Sequence, residues 1–285
     1  MPTAEQVLRD AARTLKASNL VEHPHAGKER LDAEQILTHV LGVQPDHDRE
    51  ISAAELRRFH KLIARREAGE PPGYITGSEE FHGLMLQVGR GAFIPRQSSE
   101  WMADQAVRRL RGRPRPVHVD LATGVGPVAF AVAHAMPHAR VFGADLFARP
   151  VALARRNAER LGLSNARFFR GDLFAPFPSE LRGSVDVITV HPPYVPRREI
   201  RDLPHEIIDF EPRDSLTDNS PEGMGLLSRI VDEAPGWLRP GGWLLVEVAP
   251  DRARAVGTAL RRGGFREVRS TKGPVPVSRV VTGRI

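Results

Sequence analysis

The segment VDVITVHPPYVP, residues 185–196, is an apolar run that ends in a histidine, two prolines and a tyrosine. A buried strand that ends this way delivers one polar side chain, His191, to the edge of a sheet. Pro192 and Pro193 donate no backbone hydrogen bonds, so the carbonyls around them stay free to accept from a substrate N–H, and Tyr194 can cover a flat group. Such an element suits the orientation of a nitrogen lone pair for an in-line displacement, which depends on alignment and excluded water.

A second constellation lies upstream in VDLATGVGPVA, residues 119–129. Gly124 and Gly126 allow a tight turn and a close backbone approach to a ligand at the start of the following helix. With Ala129 they also satisfy G-x-G-x-x-G/A, and Asp145 follows Gly124 by roughly 20 residues, the spacing at which an acid meets ribose hydroxyls. This pattern serves NAD and S-adenosylmethionine equally; a plain turn is the bland alternative. Asp120 favours S-adenosylmethionine, because a carboxylate beside the glycine loop repels a pyrophosphate and attracts an amino group or a sulfonium. Asp172, in GDLF, adds a third acid that could accept from an adenine amino group, or could simply cap a loop. A dehydrogenase has no use for HPPY.

These residues fall at the ends of predicted elements. From Pro116 onward, apolar strand-like runs alternate with helical runs: PVHVDLA, PVAFAVAHAM, ARVFGADL, PVALARRNAERLG, ARFFRGDL, VDVITV, MGLLSRIVDEAPGWL, GWLLVEVA, RARAVGTALRRGG, FREVRS and VSRVVTGRI. The alternation predicts a mostly parallel sheet covered on both faces, with ligands beyond the carboxyl ends of its strands. Residues 1–70 read as a small helical bundle. Thr3 with Gln6 and Ser52 with Glu55 have capping-box spacing, and Ala33, Ile36, Leu37, Val40 and Leu41 repeat on one helical face that stops at Gly42. Residues 71–97 mix glycines, prolines and alternating apolar pairs, which predicts a β-hairpin linker rather than helix; residues 98–285 form the second domain.

The chain has 285 residues, 41% of them hydrophobic and 27% charged, a globular composition with no run long enough to span a membrane. The first residues carry neither a basic nor an apolar leader signature, which predicts a cytoplasmic protein. The absence of cysteine excludes disulfides and thiol chemistry, and the histidines lack metal-ligand spacing, so no metal is expected. The net charge of +6 would suit an anionic partner. Yet Lys16, Lys28, Lys61 and Lys272 are the only lysines, and the arginine bias is chain-wide. The densest cluster, RRLRGRPR at 108–115, reads as a solvated helix end, so nucleic acid is not the expected primary partner.

Taken together, RREAGEPPGYITGSEEFHGL, FIPR, DLATGVG, GADL, HPPY, FEPRDSL and LRPGGWLLVEV resemble, in order and spacing, the release-factor glutamine methyltransferases of the HemK/PrmC type, over nearly the whole chain. The resemblance implies a class I, Rossmann-like methyltransferase domain with a seven-stranded sheet behind a helical substrate-recognition domain. It places S-adenosylmethionine, with S-adenosylhomocysteine as product, at Ala122, Thr123, Gly124, Val125, Gly126, Asp145, Leu146, Asp172 and Leu173, beside Asp120 and His191. It places the acceptor at His191, Pro192, Pro193 and Tyr194, with Phe93 and Arg96 of FIPR nearby. In that family the acceptor is a glutamine amide in a Gly-Gly-Gln loop of a translation release factor, and a monomer is expected. Glu211 and Arg213 of FEPR are expected to brace the loop over the site.

The sequence departs from the family on the acceptor side. The family has asparagine where this chain has His191; Gln97, Ser98 and Ser99 replace its Pro-Glu/Asp-Thr; and DNSPEGMGL lacks a glycine pair. Three readings of His191 follow. It orients a glutamine amide through one ring nitrogen with the Pro192 carbonyl; or it is a general base for a small-molecule amine or hydroxyl; or it marks an inactive binding module.

Overall fold

Two reciprocal caps start helices in the N-terminal region of the computed structural model, which describes residues 1–22 and 26–285; His23 and His25 lie outside the described residues. The Gln6 amide donates to the Thr3 hydroxyl while Gln6 Oε1 accepts from the Thr3 amide, and Ser52 and Glu55 repeat the exchange. Both pairs therefore satisfy backbone donors that a helix start leaves open. The helices are α1 (Ala4–Ala17), α2 (Lys28–Leu41) and α3 (Ala53–Glu67). Gly42 ends α2 at φ 72°, a left-handed cap that glycine adopts without strain.

The segment expected to be all hairpin begins instead with α4 (Pro72–Thr76), which closes on the left-handed Gly77. A proline at the first helical position and a glycine just past the last are helix signals as well as turn signals, and here the helix prevails. The hairpin follows as β1 (Ser78–Phe81) and β2 (Leu84–Gln87). Then come α5 (Glu100–Leu110), β3 (Val117–Leu121), α6 (Pro127–Ala135), β4 (Arg140–Asp145), α7 (Ala148–Leu161), β5 (Ala166–Arg170) and β6 (Val185–Val190). The chain ends with α8 (His205–Ile208), α9 (Gly225–Glu233), β7 (Leu238–Val248), α10 (Ala253–Arg262), β8 (Arg266–Thr271) and β9 (Arg279–Arg284).

These elements divide into two compact units, Met1–Ser78 with Arg201–Glu211, and Glu79–Ile200 with Pro212–Ile285. In the first, Leu8, Leu15, Ile36, Leu37 and Phe59 form a helical core. Arg66 of α3 is fully buried, with its guanidinium 2.7 Å from both Asp32 and Glu206.

The second unit is built on a seven-stranded sheet of order β5-β4-β3-β6-β7-β9-β8, in which β9 runs antiparallel to its neighbours. Every residue of β3 and β6 is buried, as expected for strands covered on both faces. Val187 and Leu245 point toward Met102, Phe130 and Ala154 of α5, α6 and α7. Ile188 and Val246 point the other way, toward Ile230 and Val256 of α9 and α10. Each such aliphatic side chain stabilises the fold by about 1.5–3 kcal/mol when fully buried. The strand order runs outward from β3 to β5 and then returns to β6 on the other side of β3. This reversal opens a crevice at the carboxyl ends of β3 and β6, where Asp120 and His191 lie.

Candidate active site

The loop after β3 is held in a conformation that ordinary side chains resist. Ala122 has φ 49°, and Gly124 and Gly126 have φ 58° and 92°. A Cβ on Gly126 would come within 2.6 Å of the Phe130 ring, so glycine is required there for packing as well as for φ. At Gly124 a Cβ would meet nothing within 4 Å, so that position faces open space. Leu173, after β5, is a second non-glycine residue in the left-handed region, at φ 47°. Ala122 and Leu173 both line the same cavity, and strain retained in this way gathers at functional sites.

Two carboxylates are fixed at the floor of that cavity. Asp145 accepts from the Gly124 and Phe147 amides, each at 3.0 Å. Asp120 accepts from the hydroxyls of Thr123 and Thr189, each at 2.6 Å. Because the Thr189 hydrogen goes to Asp120, the neighbouring His118 Nε2, 2.9 Å from the same hydroxyl, is the donor of that contact. Burial keeps the His118 ring neutral by pushing its pKa down to about 3. The opposite effect acts on the acids: burial pushes Asp120 up to about 6 and raises Asp145.

The cavity has a volume of about 420 Å³. Of the residues expected at the donor, Asp120, Ala122, Thr123, Gly124, Val125, Asp145, Leu146, Asp172 and Leu173 line it. Gly126 does not; it turns the chain into α6 behind the wall. The Asp172 carboxylate, expected to be free for an adenine, accepts from Arg229 at 2.7 Å.

On the acceptor side, His191, Pro193, Phe93 and Arg96 line the same cavity, whereas Pro192 and Tyr194 are not on its wall. Tyr194, expected to cover a flat ligand, stacks on the His191 ring instead, with centroids 5.8 Å apart. Burial first, and the charges of Glu247 and Asp251 after it, push its hydroxyl up to about 12. Phe93 meets His191 edge-on at 5.8 Å, and the Arg96 guanidinium lies 4.5 Å above the Phe93 ring. Among the described residues no backbone hydrogen bond reaches the Pro192 carbonyl. Arg213 is exposed and supports its loop through its backbone carbonyl, which accepts from Leu216 and Thr217, rather than through its side chain. Glu211 is buried within the other unit's residues.

Sequence reasoning missed Glu247, Asp214 and Ser215, and it placed Ser98 on the acceptor side without a partner. Asp214 and Ser215 line the cavity, and Glu247 is fully buried with its Oε1 accepting from the Ser98 hydroxyl at 3.1 Å. The available signal was WLLVEV: an acid near the carboxyl end of an apolar parallel strand points at the same rim as Asp120 and His191.

Glycine loop, paired acids and a polar strand end thus share one cavity at the switch point of the sheet. Its acids fit a cationic ligand, whose charge offsets the cost of burying Asp120 and Asp145, and oppose a pyrophosphate. Sheet order and cavity together define a class I S-adenosylmethionine-dependent methyltransferase. Two solved structures with this fold are a methyltransferase from Pyrococcus furiosus and a 16S rRNA methyltransferase from T. thermophilus in complex with AdoMet and guanosine. The first has TM-score 0.50 and 18% identity, covering 71% of this chain and 89% of that one. The second has TM-score 0.50 and 19% identity, covering 73% of this chain and 49% of that one. Residues 6–77 match the PrmC N-terminal domain and residues 116–251 a methyltransferase domain. The release factor glutamine methyltransferase of Geobacter sulfurreducens is 36% identical over 262 residues, 90% of this chain and 89% of its own length. That of Bordetella pertussis is 37% identical over 262 residues, 90% and 95% of the two lengths. The chain belongs to the release factor glutamine methyltransferase family.

Proposed function

We propose that this protein transfers the methyl group of S-adenosylmethionine to the side-chain amide nitrogen of a glutamine in a translation release factor, the glutamine lying in a Gly-Gly-Gln loop. The observation that carries the reading is the single cavity in which an acidic donor half, around Asp120 and Asp145, is continuous with an acceptor half at His191 and Pro193. Relatives that align over nine-tenths of the chain, named as release factor glutamine methyltransferases, support a release-factor glutamine as acceptor and disfavour a small-molecule substrate or an inactive binding module.

In this reading Asp145 and Leu146 hold the ribose side of the donor, Asp172 and Leu173 its base, and Asp120 with Ala122 to Val125 its amino-acid end. Gly126 sets the turn of that loop. The bound sulfonium supplies an electrophilic methyl group. On the acceptor side, His191 on the cavity wall takes one amide hydrogen, and the Pro192 carbonyl, off that wall but with no backbone donor among the described residues, is assigned the other, which fixes the nitrogen in line. Phe93, Arg96 and Pro193 wall the approach, and Tyr194 holds the His191 ring. The helical unit recognises the protein substrate. Among the described residues no helix is long and apolar enough to cross a membrane; a cytoplasmic monomer acting on a translation factor is the arrangement proposed.

The test is transfer of labelled methyl from S-adenosylmethionine to a purified release factor. Label is expected in the wild-type factor and absent from one whose Gly-Gly-Gln glutamine is replaced by alanine. Label that survives the replacement, or an unlabelled wild-type factor, overturns the reading.

A further inference from the structure

Val190 and Val246 are the last residues in register between the parallel strands β6 and β7; His191 follows just past the end of β6, and Glu247 is the next residue of β7. Glu247 is fully buried, its Oε1 is occupied by the Ser98 hydroxyl, and its Oε2 has no hydrogen-bond donor among the described residues and lies 3.9 Å from His191 Nδ1. A buried carboxyl oxygen left without a donor is costly, and an N–H on His191 Nδ1 would face it across 3.9 Å, longer than a hydrogen bond. The ring is clamped for this role by Tyr194 on its face and Phe93 at its edge.

We propose that His191, aligned by Glu247, is the base that takes the proton from the acceptor nitrogen as the methyl group arrives. The proposal rests on the reading that the acceptor is an amide. An amide nitrogen is a weak nucleophile, and when its bond to carbon forms it becomes strongly acidic unless a proton leaves. The N–CH₃ bond forms as the S–CH₃ bond breaks, and the sulfonium becomes a neutral thioether. One N–H bond breaks and its proton passes to His191 Nε2. Glu247 Oε2 can only accept, so it selects the tautomer with hydrogen on Nδ1 and the lone pair on Nε2, and it then faces the imidazolium. The proton leaves to water after product release.

The charged and titratable groups around the ring come from every neighbouring element. Glu247 belongs to β7 and Asp251 follows it, near Tyr194. Asp120 of β3 is bound to Thr189, two residues before His191. Arg96 lies over Phe93 from the segment before α5.

The first measurement is histidine ¹⁵N NMR on the free protein. His191 is expected to carry its hydrogen on Nδ1, and Glu247→Gln to move the hydrogen to Nε2. Ser98→Ala, which frees Glu247 Oε1 without removing the acid, should keep the hydrogen on Nδ1 and leave the fold intact. The second measurement is kcat against pH, with saturating donor so that Asp120 titration appears in the donor KM instead. With release factor as acceptor, kcat should show an acid limb in the unaltered protein. His191→Asn should still transfer methyl, with kcat lower by about 10²-fold at high pH and no acid limb. Glu247→Gln should lower kcat with acceptor KM unchanged, and Glu247→Asp should recover part of it. An acid limb that persists in His191→Asn, or a His191 tautomer unchanged in Glu247→Gln, overturns the proposal. Failure of the wild-type enzyme to methylate any release factor would instead overturn the amide reading, and the NMR spectra would still decide whether Glu247 sets the His191 tautomer.

Discussion

At the scale of single residues, Asp120 couples the site to pH. Burial holds its free-state pKa at about 6, above the ordinary carboxylate range. A cationic donor favours the ionised form, so binding lowers that pKa, and below pH 6 the donor must displace a proton. Donor affinity should therefore approach its full value above about pH 7 and fall up to tenfold per pH unit below 6. Calorimetric titration of S-adenosylmethionine into Asp120→Asn should show weaker binding at pH 7.5 and only the shallower slope that Asp145 contributes. An unchanged slope would remove Asp120 from the donor site. Stability is the wrong readout for this question. Protonation of Asp120 stabilises the free protein as pH falls from 6 toward 3.8, while His118, buried neutral with a pKa of about 3, destabilises it as pH falls below 6.5. Asp120, Asp145 and His191 were legible because each ends a predicted strand beside glycine or proline. Glu247 was not, because a lone acid in an apolar strand has no punctuation near it, and only the register of β6 against β7 sets it beside His191.

At the scale of elements, the glycine loop separates a residue that shapes the fold from one that shapes the cavity. Gly126→Ala combines a left-handed φ of 92° with a Cβ 2.6 Å from the Phe130 ring. Gly124→Ala has a φ of 58° and open space around it. Alanine in the left-handed region costs about 1–2 kcal/mol, and overpacking adds roughly 1–3 kcal/mol. Chemical denaturation should thus place Gly126→Ala at least 1 kcal/mol below Gly124→Ala, whereas Gly124→Ala should lose donor affinity with most of its stability retained. Equal losses of stability would contradict the assignment of Gly124 to the cavity wall. Elements were legible wherever a local signal is unambiguous: both capping boxes, the Gly42 cap and the strands of the parallel sheet lie where periodicity put them. The helix α4 was not, since Pro72 and Gly77 serve a hairpin linker and a one-turn helix equally well. The choice between them is made by burial, with Pro72, Gly73, Tyr74 and Ile75 all buried.

At the scale of the whole molecule, the division of the chain is not the one that a linear reading suggests. The sheet unit is interrupted after Ile200, and Arg201–Glu211 belongs with the helical unit. No composition shift marks that segment. What binds it is Glu206 on the buried guanidinium of Arg66, which also holds Asp32. Breaking a buried pair by removing one partner costs about 3–5 kcal/mol, because the other charge is left uncompensated. Arg66→Met should therefore destabilise the protein by roughly that amount, and Glu206→Gln by less, since Asp32 still compensates Arg66. If the segment is energetically part of the helical unit, the double variant will fall short of the sum of the single changes by about 1–3 kcal/mol. Urea denaturation of the four proteins in the cycle measures that coupling. Additivity within about 0.5 kcal/mol would mean that Glu206 merely lies beside Arg66. Coupling of the expected size would mean that Arg201–Glu211 is energetically part of the helical unit, tied to it through the buried guanidinium of Arg66.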